Sequence, residues 1–355
     1  IFSFYYVFKL AYKFLENIKL SLISVLLLES IYFYNFTTPE FNVNICQLPF
    51  WSLVVYYSWK IYDSKEIKLI DCFLVGFFAA LGFLSKYLFF YLLLSISLFF
   101  IWLIFFKKDK KFDFKYVIII EVFIVLLVPH LIWLFNNNFI TVLYGIKRTG
   151  IEEHVFLNHF KYPIIFLVKQ LGILIPFLFL VNLLIKKINF KINLKDKKLL
   201  FLIFINIIPI ALILITSVMT GSKIRTMWMT PFYLFFGVLF VYIFQYQINI
   251  KKINSFLYGF LFLFFLSPIL YSYESLSKTD KRTDYPGHEI AAKVQTVWNK
   301  DFNKEIEFVT GDEWNAGNLS YHLKSRPKWE GFTSSEILNK SSQFICVDDV
   351  CLGRY

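Results

Sequence analysis

The feature that most constrains this sequence is a series of nine apolar runs, each about 16 to 24 residues long. A helix of about 20 apolar residues crosses the roughly 30 Å of hydrocarbon in a bilayer. With 57% hydrophobic and 21% aromatic residues, the chain holds more apolar side chains than a soluble globule could bury. We therefore predict a polytopic α-helical membrane protein. The runs lie at 19–36, 45–61, 70–85, 87–106, 116–135, 162–185, 199–217, 228–245 and 254–271.

Positive charges are distributed unequally between alternate loops of this predicted bundle. One set of loops carries 19 lysines, whereas the other set carries only six Lys or Arg residues up to Tyr271. Because Lys and Arg concentrate in cytoplasmic loops, the 19-lysine side is predicted to be cytoplasmic. The formal net charge of +12 therefore orients helices and does not indicate nucleic-acid binding.

The sequence begins at Ile1, with neither Met nor a charged segment before the apolar start. We therefore expect a fragment or a processed product, in which residues 1–8 are the tail of an earlier membrane helix. Nine crossings from a cytoplasmic start place the region after Tyr271 outside the cytoplasm. The predicted domains are thus a transmembrane domain, 1–271, and an extracytoplasmic domain, 272–355.

Residues 272–355 have the composition of a water-exposed domain, with 11 Lys or Arg against 13 Asp or Glu. Its patterns predict a small α/β fold: helices in "GHEIAAKVQTVWNK" and "NAGNLSYHL", and strands in "EIEFVTGD" and "QFICVDDVC". Cys346 and Cys351 either form a disulfide or are held apart by strand geometry. Cys46 and Cys72, in apolar runs, are interpreted as inert small hydrophobes.

Four cations on the predicted outer side are candidates for a phosphate site: Lys86, Arg148, Lys223 and Arg225. Guanidinium groups hold two phosphate oxygens at once, and ammonium groups add a compact charge. The alternative is that they are separate, solvated surface charges. Further candidates near a substrate are Tyr87, Glu40, Asn42, Glu152, His154 and Trp228.

Each of these further candidates has an ordinary structural alternative. Glu40 could act as a base or bind metal, or it could simply be solvated beside Pro39. His154, which follows Glu152 and Glu153, could share a divalent metal with them, although no Cys/His spacing resembles a zinc site and no cofactor is specifically predicted. Tyr87 and Trp228 could stack on a sugar or anchor the helices at the membrane interface. Lys169, Glu29 and Glu121, inside apolar runs, are assigned to interhelical contacts or helix ends.

Four segments carry a resemblance to a known family: "TTPEFNVNICQLPFWSLVVYY", "GFFAALGFLSKY", "VPHLIWLFNNNFITVLYGIKR" and "TGSKIRTMWMTPFYLFFG". They resemble the membrane domain of polyprenyl-phosphate-sugar-dependent glycosyltransferases, relatives of the protein O-mannosyltransferases (family 39, C-type fold). The tail segments "YPGHEIAAKVQTVW" and "FVTGDEWNAGNLSYHLKSRPKW" are similar to the extracytoplasmic extension of some members.

The resemblance implies a C-type helical bundle in the inner (plasma) membrane with its active site at the outer surface. There a hexosyl or pentosyl group would pass, with inversion, from a polyprenyl-phosphate donor to a lipid, glycan or protein hydroxyl. Among the outer cations, Lys86 and Arg225 are the first choices to hold the donor phosphate. The family's acidic catalytic residue is expected upstream of Ile1, so we expect this chain by itself to be inactive.

A lipid or glycan flippase is the alternative function, because it would also use outer cations and an apolar groove. That function predicts an internal repeat and charged or broken helices near the membrane midplane. No convincing repeat is found in the sequence, and the charges within apolar runs do not pair obviously.

Overall fold

A computed structural model describes residues 1–37, 41–150, 155–185, 192–279, 281, 284–347 and 349–355. Its contacts divide the chain into two compact units, Ile1–Tyr271 and Ser272–Tyr355. The boundary coincides with the change from apolar to mixed composition in the sequence. Each unit has its own hydrophobic core.

The first unit is built from helices whose ends follow local capping rules. Asn17 caps α2 by accepting hydrogen bonds from the amides of Lys19 and Leu20, and Gly221 ends α9 with a φ of 65°, a conformation that glycine adopts without steric cost. The helices are α1 Phe2–Leu15, α2 Ile18–Leu26, α3 Val43–Asp63, α4 Leu69–Ser85, α5 Phe90–Ile101, α6 Tyr116–Asn136, α7 Ile140–Thr149, α8 Asn158–Leu184, α9 Lys197–Thr220, α10 Phe236–Phe244 and α11 Ile253–Ser277.

Five helical segments of the described chain are long and apolar enough to cross a membrane, and a sixth counts if one bent pair is a single span. The bent pair joins a 3₁₀ helix, Thr226–Tyr233, to α10 at an angle of 51°. The polytopic helical class is thereby confirmed, and the three other predicted runs do not meet the same length and apolarity criterion as single helices. Run 19–36 is broken into α2 and short 3₁₀ turns, run 45–61 lies in the less apolar α3, and run 70–85 forms the 17-residue α4. The five segments are Tyr87–Phe106, Tyr116–Asn136, Asn158–Leu184, Lys197–Thr220 and Ile250–Ser277.

The helix at the start of the chain is longer than the predicted tail of residues 1–8. It continues to Leu15 because Leu10, Ala11 and Phe14 belong to the main hydrophobic core. Lys9 lies over the rings of Tyr5, Tyr6 and Tyr56, so its charge does not end the helix.

Lysines of the 19-lysine loops join neighbouring helices at one end of the bundle. Lys60 Nζ lies 2.7 Å from a carboxylate oxygen of the buried Asp71, which connects α3 to the first turn of α4. Comparable pairs link Lys13 to Asp63, Lys197 to Asp109 and Lys198 to Glu16. Lys86, by contrast, follows the last residue of α4, about 25 Å along the helix from its start. The two sets of loops therefore lie at opposite ends of α4.

The second unit is a small α/β fold with a four-stranded sheet in the order β2-β1-β4-β3. Strand β1 pairs in parallel with β2 and antiparallel with β4, while β3 and β4 form a hairpin closed by the Cys346–Cys351 disulfide. The predicted single strand "QFICVDDVC" is thus divided between two strands, in which Val347 pairs with Val350. The elements are α12 Gly287–Asp301, β1 Phe308–Thr310, α13 Asn315–His322, β2 Lys328–Trp329, α14 Ser335–Lys340, β3 Gln343–Val347 and β4 Val350–Arg354.

Candidate functional site

The first unit contains a cavity of about 1010 Å³ at the end of the bundle that carries few lysines. The chain after α2, the start of α3, the middle of α8, the loop after α9 and the middle of α11 surround it. Its described lining includes three cations and no carboxylate. The lining residues are Ser30, Tyr32, Phe33, Asn35, Phe36, Thr37, Asn42, Asn44, Ile45, Lys169, Gly172, Ile173, Pro176, Lys223, Ile224, Arg225, Thr226, Met227, Thr230, Leu263, Ser267 and Leu270.

Two of the three cations come from the loop between α9 and the 3₁₀ helix. Ser217 Oγ donates a hydrogen bond of 2.7 Å to the carbonyl of Ser222, which fixes the chain as it leaves α9. The next amide, that of Lys223, donates 2.8 Å to the carbonyl of Thr149 at the end of α7. These contacts hold Lys223 and Arg225 on the wall of the cavity, beside the segment that carries Arg148.

Lys86 reaches the same region from the corner between α4 and α5. Its Nζ donates a hydrogen bond of 2.5 Å to Oδ1 of Asn44, a buried residue that lines the cavity. The ammonium also lies 4.9 Å from the ring centroid of Trp228, a distance suited to a cation–π contact. Lys86 therefore contacts the cavity lining through Asn44 and has a second neutral partner in Trp228, outside that lining.

The electrostatic environment of Lys86 favours its neutral form. Burial, together with the nearby charge of Arg148, lowers the pKa of its ammonium to about 7. Arg148 itself lies over the ring of Tyr144 in its own helix and donates a hydrogen bond to that tyrosine's hydroxyl. An anion bound between Lys86 and Arg148 would relieve this repulsion, because it would interact favourably with both charges.

Lys169, which the sequence predicts to lie at an interhelical contact or a helix end, lines the cavity instead. It projects into the cavity from α8, eleven residues after the first residue of that helix. A lone lysine in an apolar span is costly unless it faces an aqueous or polar site, and that is the sequence signal that identifies it. Together with Lys223 and Arg225, it completes the cationic part of the cavity.

The remaining predicted residues have different surroundings. Asn42 lines the cavity and caps α3 by accepting a hydrogen bond of 2.9 Å from the amide of Asn44. Tyr87 OH lies 2.8 Å from His130 Nε2 and 2.7 Å from Thr141 Oγ1, so it joins the Lys86 corner to α6 and α7. Glu40, Glu152 and His154 lie outside the described residues. Within the described part of the chain, no group of three or more His, Cys, Asp or Glu side chains could hold a metal ion.

Part of the chain resembles a known protein family. The family of dolichyl-phosphate-mannose-protein mannosyltransferases matches residues 1–133, a part that includes Lys86 but not Lys169, Lys223 or Arg225. No curated protein and no solved structure shows a significant match. The family supports glycosyl transfer in a membrane as the general activity. The match over residues 1–133 supports the predicted resemblance to the protein O-mannosyltransferase-like glycosyltransferases.

Proposed function

We propose that the protein takes part in transferring a sugar from a polyprenyl-phosphate donor to a hydroxyl group of a lipid, glycan or protein. The reaction would take place at the outer face of the inner membrane. The observation that carries this proposal is the charge of the large cavity: Lys169, Lys223 and Arg225 line it, and its described lining contains no carboxylate. Such a cavity is suited to a phosphate group.

In the proposed reaction, the electrostatic interaction between these cations and the donor phosphate becomes stronger as the glycosidic bond breaks. The acceptor oxygen forms a bond to the anomeric carbon and gives its proton to a base, while the bond from that carbon to the phosphate oxygen breaks with inversion. The polyprenyl phosphate leaves with an additional negative charge. Fixed cations near the leaving oxygen therefore stabilise the transition state more than the bound donor.

The cavity also offers an apolar wall for the isoprenoid chain. Ile173 and Pro176 of α8 face it, as do Leu263 and Leu270 of α11. Gly172 follows Lys169 in α8 and precedes Ile173 and Pro176 of the same helix. A Cβ added to Gly172 would meet no atom within 4 Å. We assign the phosphate to the cationic wall and the first isoprene units to this apolar wall.

Binding of a polyprenyl-phosphate sugar to the purified chain in lipid nanodiscs tests the site. Lys223→Gln and Arg225→Gln should each weaken binding about tenfold or more, because a hydrogen bond to a charged group contributes about 1.5–3 kcal/mol. Lys161→Gln is the matched control, since it removes an exposed cation outside the cavity lining. Gly172→Trp should also block binding by filling open space. Equal affinities for all four variants and the unaltered chain would refute the site.

Transfer itself separates the glycosyltransferase from the flippase. Because the catalytic acidic residue is expected upstream of Ile1, the membranes come from cells that produce the chain together with those upstream residues. They are supplied with a donor labelled in its sugar, and the label is followed in the acceptor fraction and in the donor lipid of each leaflet. Label in a glycosylated product that decreases in the Arg225→Gln variant supports the proposal. Movement of labelled donor between leaflets without any product would instead establish a flippase.

A further inference from the structure

A second cavity runs among α3, α4, α5 and α6 of the first unit, from Phe90 at the start of α5 to Phe112 beside the lysine-rich end. Its volume is about 510 Å³, and its lining is almost entirely apolar. Phe90, Ile101 and Phe105 form part of this lining and are between 45% and 63% exposed, so the cavity opens at the outer surface of the bundle. Phe105 belongs to a π-helical turn, Trp102–Phe106, that ends α5. In a membrane, this opening would face lipid chains.

A polar pocket of about 440 Å³ adjoins the apolar cavity. Phe112 and Tyr116 line both spaces, so one molecule could occupy the two together. The polar pocket lies between the α3–α4 loop and the segment before α6. Its charged lining consists of Lys65, Glu66, Lys110, Lys111 and Asp113.

The charge around this pocket is positive despite its two carboxylates. Residues 64–68 and 107–116 carry seven lysines against three acidic residues. Asp113 already accepts a hydrogen bond of 2.9 Å from the amide of Lys115, and Lys110 Nζ donates 3.1 Å to the carbonyl of Ser64. Lys65 and Lys111 are exposed, and among the described residues neither forms an ion pair. Their charges are therefore available to an anion.

We propose that this pair of spaces binds an anionic phospholipid, with its headgroup phosphate near Lys65 and Lys111 and an acyl chain in the apolar cavity. Basic pockets beside membrane helices favour anionic headgroups, and each lysine near the membrane surface contributes about 1 kcal/mol. The apolar cavity provides a binding surface for an acyl chain, which a phospholipid has and an inorganic anion lacks. The headgroup end of this site lies at the end of α4 opposite Lys86, and the site shares no lining residue with the proposed sugar-transfer cavity.

Fluorescent phosphatidylglycerol and phosphatidylcholine, titrated against the purified chain in detergent, test this lipid site. The unaltered chain should bind phosphatidylglycerol more tightly than phosphatidylcholine. The double variant Lys65→Gln/Lys111→Gln should weaken phosphatidylglycerol binding about 25-fold, or about fivefold per lysine. The double variant Lys19→Gln/Lys251→Gln removes two exposed lysines elsewhere in the chain and should leave binding unchanged.

The apolar half of the site is tested separately with Ser97→Trp and Ile101→Trp, two substitutions at exposed positions of the cavity lining. At least one should fold, as judged by size-exclusion chromatography, and should weaken binding of both lipids. Three results would overturn the proposal: equal affinity for the two lipids, an equal loss in the two lysine double variants, or unchanged binding in the folded tryptophan variants. Displacement of phosphatidylglycerol by millimolar inorganic phosphate would show a free-anion site and would also overturn it.

Discussion

At the residue scale, the ammonium of Lys86 has neutral partners, which leaves its charge available to an anion. Its ammonium contacts an amide oxygen of Asn44 and the ring face of Trp228, neither of which carries a formal charge. These contacts compensate only part of the desolvation, and burial therefore lowers the pKa of Lys86 to about 7. The charge state of this residue then changes within the physiological range.

Binding of a polyprenyl-phosphate sugar should therefore depend on pH through Lys86. Because the pKa is lowered, the side chain is charged below about pH 7 and neutral above it. The donor phosphodiester keeps its charge, so affinity should fall, by up to about tenfold, between pH 6 and pH 9. Calorimetry at both pH values measures the effect.

Two variants isolate the contribution of Lys86 to this pH profile. Lys86→Arg stays charged throughout and should keep high affinity at both values, whereas Lys86→Gln should bind weakly at both. A pH dependence that persists unchanged in Lys86→Gln would assign the titration to another group.

At the scale of elements, the backbones of α10 and α2 approach each other closely in the core. A Cβ added to Gly237 of α10 would overlap the backbone carbonyl of Ser24 in α2. The absence of a side chain at this position allows the two backbones to approach. Gly237 is the last residue of the "TGSKIRTMWMTPFYLFFG" segment, and its contact fixes α10, and thereby the preceding 3₁₀ helix, against the rest of the bundle.

Gly237→Ala should lower the free energy of unfolding by about 1–3 kcal/mol, the usual cost of overpacking a core. Gly145→Ala is the matched control, because an added Cβ in α7 meets nothing within 4 Å. That control should leave stability unchanged or raise it by up to about 1 kcal/mol. Thermal unfolding in detergent compares the two, and equal midpoints would contradict the close contact.

At the scale of the whole molecule, the unequal distribution of lysines between the two sets of loops predicts how the protein is oriented in the membrane. The described structure separates the lysine-rich loops from the Lys86 corner at opposite ends of α4, and the positive-inside pattern predicts that the former are cytoplasmic. Lys251 represents the cytoplasmic loops, Lys161 the outer loops and Lys324 the second unit. All three side chains are exposed.

A single cysteine at each of these positions, in a chain with Cys46 and Cys72 changed to Ala, tests the orientation. A membrane-impermeant maleimide should label Lys161→Cys and Lys324→Cys from the outer side of a sealed inner membrane. Lys251→Cys should be labelled only after permeabilisation. Labelling of Lys251→Cys in sealed membranes would reverse the predicted orientation, and labelling of Lys161 and Lys251 variants from the same side would refute the predicted separation of the loops.

The sequence by itself determined the class of this protein and most of its helices, because apolar runs of spanning length have few other stable structures in a bilayer. Run length could not show that 19–36 is divided between α2 and short 3₁₀ turns, or that 228–245 contains a 51° bend. The cations of the loops could likewise be identified from the sequence as candidates. Only tertiary structure brought Lys169 beside Lys223 and Arg225, because residues more than fifty positions apart meet through helix packing and not through any local pattern.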